Sequence, residues 1–139
     1  MAITYQNHPP AQEQFRRLFD TTGWNDEYQA TSEQLVQAVA NSQFVVAAYD
    51  GEQLVGFGRI VSDGILYAMI YDMIVDPAYH RQGIGTQILQ MLVRWCDEAH
   101  IRDIQLFCAR GKRAFYEKNG FVSRSEDAPG MQYRRKAIS

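Results

Sequence analysis

Tyr71-Asp72-Met73-Ile74-Val75-Asp76-Pro77-Ala78-Tyr79-His80-Arg81-Gln82-Gly83-Ile84-Gly85-Thr86 is the stretch from which the rest of the chain can be placed. It reads as an apolar strand, a turn enforced by Pro77, and a Gly-x-Gly loop that opens directly into an amphipathic helix. A loop entering a helix through Gly83 and Gly85 offers several backbone N–H groups without intrahelical partners, and the helix dipole adds partial positive charge at the same end. That combination suits an anion, phosphate best of all. Glycine permits the tight turn and keeps a Cβ away from the ligand oxygens. Gly-x-Gly pairs also occur as plain loop punctuation. The stretch is not a dinucleotide-binding fingerprint, because a third glycine is missing where Thr86 leads into Gln87-Ile88-Leu89. Nor is it a P-loop, since no Gly-Lys-Ser/Thr closes it.

Outward from this stretch, towards the N-terminus, Phe44-Val45-Val46-Ala47-Ala48-Tyr49 is a strand, Asp50-Gly51 a hairpin turn, and Leu54 to Val61 the returning strand. Ser62-Asp63-Gly64 turns into the strand that runs through Val75, so two hairpins in series predict an antiparallel meander. Ahead of it lie a short strand around Ile3 to Tyr5 and a helix started by Pro9-Pro10 with Phe15, Leu18 and Phe19 on one side. A Gly23-Trp24-Asn25 loop follows. Thr31-Ser32-Glu33-Gln34 fits a capping box, and Leu35, Val36 and Val39 form the buried stripe of the helix it opens. Beyond Gly83, the helix carries Ile84, Ile88, Leu92 and Trp95 on one face, with Gln87, Gln90 and Arg94 outside it. Ile104 to Cys108 is the next strand, reached by a crossover and therefore expected parallel to the strand before the glycine loop. Lys112 to Asn119 reads as a short helix ended by Gly120, Phe121-Val122 as a strand, and Met131-Gln132-Tyr133 as the strand that closes the sheet. Arg134-Arg135-Lys136 is a basic tail, solvated or a binding patch. The expected fold class is α+β: a mixed, mostly antiparallel central sheet with helices on both faces, in three layers.

A chain of 139 residues, 46% hydrophobic and 22% charged, fits one domain over 1–139 with a real core. No apolar run approaches a membrane span, and the polar start Met1-Ala2-Ile3-Thr4-Tyr5-Gln6 does not read as a signal peptide, so a cytoplasmic location is expected. A net charge of -2 argues against a general nucleic-acid binder, and any anionic ligand must be held by local charge. Cys96 and Cys108 lack metal spacing and read as reduced, mostly buried thiols. His8, His80 and His100 are scattered, and no metal site is expected.

His80-Arg81-Gln82-Gly83-Ile84-Gly85 resembles the acyl-CoA signature of the GNAT superfamily of N-acetyltransferases, Gln/Arg-x-x-Gly-x-Gly/Ala, with His80 departing from the first position. Phe115-Tyr116-Glu117-Lys118-Asn119-Gly120-Phe121 is similar to a second segment of the same superfamily, Phe-Tyr-x-x-x-Gly-Phe. Both occur in the expected order, and the resemblance covers nearly the whole chain. Leu54 through Phe121 is also similar to small bacterial and plastid arylalkylamine, or serotonin-type, N-acetyltransferases. The resemblance implies acetyl-CoA as co-substrate, a primary amine as acceptor, and a splayed parallel strand pair that binds the acyl-CoA. It places the pyrophosphate on Arg81, Gln82, Gly83, Ile84, Gly85 and Thr86, and the pantetheine and thioester carbonyl on the backbone of Met73, Ile74 and Val75.

Acyl transfer from a thioester to an amine needs a neutral amine, a stabilised oxyanion and a proton for the departing thiolate. Tyr116 is the candidate general acid, because a phenol of ordinary pKa ~10 is protonated at neutral pH and can match a thiolate. Packing of Phe115 and Tyr116 onto the sheet is the alternative. Asp72 lies in an apolar strand where a charge needs a reason, with Ile74 expected on its side and Met73 and Val75 on the other. The resemblance implies a general base there; a structural carboxylate held by N–H groups or an arginine is the alternative. Glu117 is a weaker choice. Arg110, Lys112, Arg113 and Lys118 are placed to meet the adenosine phosphate or to form a solvated face, and Arg110-Gly111 stands where the family commonly has Asn. Cys108 as an acyl carrier lacks a base beside it. The acceptor candidates are Trp24, Tyr28, Arg59, Tyr67 and Tyr71, through cation–π contact with an amine or, for Arg59, a carboxylate; each could equally be core or surface. A small-molecule amine acetyltransferase, a peptide or protein acetyltransferase and a non-catalytic CoA-binding module are the three hypotheses. A homodimer is an open possibility; nucleic acid and membrane are not expected partners.

Overall fold

Continuous apolar runs and two tight turns build the centre of the fold, which the computed structural model describes over residues 2–135. The chain divides between Leu106 and Phe107 into two compact units. The first holds a five-stranded open sheet in sequence order: β1 (Ile3–Gln6), β2 (Phe44–Asp50), β3 (Gln53–Ser62), β4 (Tyr67–Val75) and β5 (Asp103–Leu106). β1 to β4 pair antiparallel, and the β4–β5 pair is parallel, as the crossover requires. Three helices fill the chain between β1 and β2: α1 (Gln12–Asp20), the one-turn α2 (Asn25–Tyr28) and α3 (Ser32–Ala40). α4 (Ile84–Glu98) makes the crossover.

Each helix is placed by its apolar stripe. Phe15, Leu18 and Phe19 of α1 and Leu35 and Val39 of α3 bury against Val45, Ala47, Leu54, Phe57 and Ile74 on one face of the sheet. Phe15 meets Phe57 edge to face at 4.8 Å. Burial of each such large side chain contributes roughly 1.5–3 kcal/mol. The capping box is formed: Thr31 Oγ1 accepts from the Gln34 N–H and the Gln34 side chain accepts from the Thr31 N–H. On the other face, α4 buries Ile84, Ile88, Leu89, Leu92 and Cys96. Its close seat depends on Gly56 and Gly58 of β3, where a Cβ would come within 2.9 Å of Ile84 and Ile88, and of Leu92 and Met73, respectively. Trp95, expected on the buried stripe, is half-buried and stacks on Phe44 at 5.5 Å.

The second unit begins at Phe107 and contains α5 (Arg113–Lys118). Here several expectations are corrected. The strand expected over Ile104 to Cys108 ends at Leu106, and Cys108, expected buried, is exposed. Phe121-Val122 is not a strand, because Phe121 closes the helix instead. Gly120, at φ +94, donates to Glu117 O, Phe121 N–H donates to Tyr116 O, and the Phe121 ring packs edge-on against Tyr116 at 5.9 Å. That is a Schellman cap with its apolar contact, and it uses the backbone group a strand would need. Met131-Gln132-Tyr133 forms no strand either, with Met131 and Tyr133 more than four-fifths exposed. Lys136 of the basic tail lies outside the described residues. Among the described residues no helix is long and apolar enough to cross a membrane, and no group of three or more His, Cys, Asp or Glu is placed to hold a metal.

Candidate active site

β4 is the element on which the site is built, and it departs from a plain strand at two points. Its pairing with β5 spans Tyr67 to Ile70 only, so Tyr71 to Val75 run on with an open edge. Within that open stretch the ladder to β3 slips: Arg59 faces Tyr71 and Phe57 faces Ile74, leaving Gly58 opposite both Asp72 and Met73. Asp72 is the inserted residue, at φ +56, a left-handed conformation that aspartate tolerates better than apolar residues do. The bulge therefore puts Tyr71 and Asp72 together on the face of α1 and α3, with Ile74, and turns Met73 and Val75 towards α4. The expected facing of Asp72 with Ile74 is found, although strict alternation would also have placed Ile70 there; Ile70 pairs with Ile60 on the α4 side.

The open edge presents backbone donors and acceptors. Asp76 N–H donates to Val55 O, which continues the ladder, so alternation along an antiparallel strand directs the N–H and C=O of Val75 and Met73 away from β3. Val75 O is met by His80 Nε2 at 2.9 Å, a contact in which the ring nitrogen donates. The His80 departure from the family signature thus places a donor on β4.

The glycine loop follows at once. A 3-10 turn over Pro77–Tyr79 leads through His80, Arg81 at φ +66 and Gln82 to Gly83 at φ +81, the N-cap of α4. A Cβ on Gly83 would meet no protein atom within 4 Å, so glycine is required there by the backbone conformation. The first intrahelical bond is Gln87 N–H to Gly83 O, and the helix has neither a side-chain cap nor an acidic residue in its first turn. The N–H groups of Ile84, Gly85 and Thr86 are left without helical acceptors, and Arg81 and Gln82 are exposed beside them. This donor set fits a pyrophosphate, and the open edge of β4 fits an amide-bearing chain.

Of the remaining candidates in the first unit, Asp72, Arg59 and Tyr71 are brought together. Asp72 Oδ2 accepts from Arg59 Nε at 2.7 Å, with both side chains 17% exposed. Arg59 Nη1 also donates to Ala38 O and Ser42 Oγ, each at 3.2 Å, and the guanidinium lies 5.7 Å from the Tyr71 ring. Arg59 is thus engaged with its own chain. Trp24 packs edge-on against Phe19 at 5.9 Å, while Tyr28 and Tyr67 are exposed. Neither Trp24 nor Tyr28 lines the nearby open cavity of about 760 Å³, which Arg16, Asp20, Gly23, Asn25, Asp26, Gln29 and Ala30 form.

In the second unit, Tyr116 is buried between Phe115 and Phe121. Burial, then the charge of Cys108, pushes its phenol up to about 12. It therefore stays protonated throughout the neutral range, as a proton donor must. Arg110, Lys112 and Lys118 are exposed, and Arg113 pairs with Glu117 one turn on at 3.3 Å.

Sequence reasoning passed over Asp76, a buried charged residue whose only local signal is the Asp-Pro pair. Its Oδ1 caps Ala78 N–H at 3.0 Å and its Oδ2 accepts from Arg17 Nη1 at 3.1 Å.

Comparison with known proteins gives the family and the fold. Residues 40–123 match the family model of the acetyltransferase (GNAT) domain. Histone acetyltransferase TAP1 of Glycine max is 30% identical over 125 residues, which cover 82% of this chain and 53% of that protein. The solved structure of a GNAT family acetyltransferase from Streptococcus pneumoniae TIGR4 superposes with a TM-score of 0.79 at 30% identity, covering 98% of this chain and 100% of that one. PaiA N-acetyltransferase of Thermoplasma acidophilum, solved in complex with coenzyme A, shares the fold with a TM-score of 0.69 at 19% identity, over 89% of this chain and 92% of that one.

Proposed function

The chain belongs to the GNAT acetyltransferase family, and we propose that it moves an acetyl group from acetyl-CoA to a primary amine of a small molecule, by direct attack in a ternary complex. The observation that carries the proposal is the run of β4 past β5 into the uncapped N-terminus of α4. It joins an open strand edge to an anion cradle on one continuous segment. Arg81, Gln82, Gly83, Ile84, Gly85 and Thr86 would hold the pyrophosphate, the open-edge backbone of Met73 to Val75 the pantetheine and thioester carbonyl, and Arg110 and Lys118 the adenosine phosphate.

In the proposed reaction, Asp72 keeps Oδ1 to take the ammonium proton, while Arg59 holds Oδ2. The neutral amine attacks the thioester carbonyl carbon, N–H groups of β4 stabilise the oxyanion, and collapse breaks the C–S bond. Tyr116 gives its proton to the departing thiolate, and the proton that the attacking nitrogen loses as it becomes the amide restores the phenol. Tyr71, with Arg59 and Tyr67, would face the acceptor; arylalkylamines are the first class to try, in keeping with a cytoplasmic small-molecule enzyme. A peptide or protein acceptor is the second reading, favoured by the likeness to a protein named histone acetyltransferase TAP1.

Calorimetry with acetyl-CoA, then thiol release with arylalkylamines, polyamines, amino acids and short peptides, tests the proposal. Release with one small amine class supports it; release with peptides alone moves it to the second reading. Tight binding with no release leaves a non-catalytic CoA module, and no binding removes the cradle assignment.

A further inference from the structure

Burying a carboxylate is costly unless its oxygens are paired, so a buried aspartate marks a place the fold must hold. Asp76 is the residue at which β4 ends and the path to the glycine loop begins, and it is tied in four directions. Its N–H donates to Val55 O at 2.8 Å, its carbonyl accepts from Tyr79 N–H at 2.8 Å, Oδ1 caps Ala78 N–H, and Oδ2 takes Arg17 Nη1. Arg17 donates in addition to Leu54 O, so one guanidinium binds α1 to both β3 and the turn. At the far end of the turn, Tyr79 OH donates to Asp50 Oδ2 at 2.6 Å. Only His80, Arg81 and Gln82 separate the pinned Tyr79 from Gly83.

We propose that Arg17 and Asp76 are positioning residues for the phosphate-binding loop: the pair seats the turn that precedes Gly83 and thereby fixes the N–H groups that receive the pyrophosphate. The inference rests on the acyl-CoA site proposed above. Neither residue touches the ligand; each acts through the turn. With the pair removed, the turn keeps Pro77 and the Tyr79 tether but loses its anchor to α1, and the loop must be ordered by the ligand itself. That ordering appears as weaker CoA binding with little change once the complex has formed.

The test uses the full chain as wild type, Arg17→Lys, Arg17→Met and Asp76→Asn, with CoA titrated by calorimetry and amide exchange followed over Ala78 to Thr86. Arg17→Met and Asp76→Asn should raise the CoA dissociation constant about tenfold and speed exchange in that segment, while Arg17→Lys recovers part of both. In turnover, KM for acetyl-CoA should rise, with kcat and KM for the amine within about twofold of wild type. Wild-type CoA affinity and unchanged exchange in both variants would overturn the inference and leave the acyl-CoA site standing. A fall in kcat with unaltered KM would also overturn it, since positioning of the phosphate loop would then not be the role. Failure of the wild type to bind CoA would remove the underlying site, and this inference with it.

Discussion

Replacing Gly56 with alanine tests whether the close seat of α4 governs both stability and ligand binding. The new Cβ would lie 2.9 Å from Ile84 Cγ2, 2.9 Å from Ile88 Cδ1 and 3.3 Å from Ala48 Cβ. Ordinary carbon contacts sit near 3.5–4.0 Å, as a rough guide. Ile88 can yield at its chain end. Ile84 meets the methyl through its branched Cγ2 and is only 2% exposed, and Ala48 is fixed by the backbone. Relief therefore requires the first turn of α4 to move. Overpacking of this kind costs about 2 kcal/mol. For a domain of this size that corresponds to a Tm lower by about 6–10 °C. Because Ile84 is the first residue of the helix and part of the proposed cradle, CoA affinity should also fall, about three- to tenfold. Gly58→Ala is the comparison: its methyl meets Leu92 Cδ1 and Met73 Sδ at 2.9 Å and the branched Cγ2 of Ile88 at 3.0 Å, beyond the first turn of α4. It should also cost about 2 kcal/mol, but lower CoA affinity less than Gly56→Ala does. Urea unfolding and CoA calorimetry on both variants decide the matter. A Gly56→Ala protein as stable as wild type would refute the packing argument. One that loses stability but binds CoA normally would refute the link from seat to cradle.

Tyr116→Phe should lower kcat about 10²- to 10⁴-fold and leave CoA binding unchanged, if the phenol is the general acid. Because the folded-state pKa of about 12 lies above the unfolded value near ~10, the folded protein keeps a proton that the unfolded chain releases. The Tyr116 contribution is therefore complete below pH ~10 and lost as pH rises towards 12; denaturation of wild type and Tyr116→Phe should diverge with pH only in that window. Arg59→Met, which leaves the Asp72 carboxylate without its partner, should cost about 2 kcal/mol in urea unfolding at neutral pH. Asp63 accepts from the N–H groups of Ile65, Leu66 and Tyr67, which hold its carboxyl below the usual range. Its contribution is present above the ordinary aspartate pKa and fades as pH falls through the depressed one, so the Tm gap between wild type and Asp63→Ala should be wider at pH 7 than at pH 2.

Much of this architecture is legible in local sequence because the decisive signals are short-range. The Asp50-Gly51 turn, the Thr31 capping box and the apolar period of α4 each need only a few neighbouring residues, and each appears where expected. The glycine loop before α4 is legible for the same reason, since Gly83 reports a backbone conformation. What escapes depends on partners distant in sequence. The Arg59–Asp72 pair follows from a register that places Arg59 opposite Tyr71, and the left-handed bulge has no marker beyond an acid in an apolar run. Arg17 and Asp76 are joined across α1 and β4, with nothing in either segment naming the other. The expected strand at Phe121 failed for a local reason: its apolar character served a helix cap as well as it would have served a sheet.

The bulge in β4 has one further implication. On either side of Asp72 the partners of β3 are in step, with Arg59 opposite Tyr71 and Phe57 opposite Ile74. A chain with Asp72 deleted would keep both pairs and close into a regular ladder, free of a left-handed residue. The register alone therefore does not call for the aspartate: it is a surplus unit in the ladder, held at its place by Arg59. Shortening β4 by that one residue would separate what the strand needs in order to pair from what it carries at its centre, a distinction that no side-chain substitution at position 72 can draw.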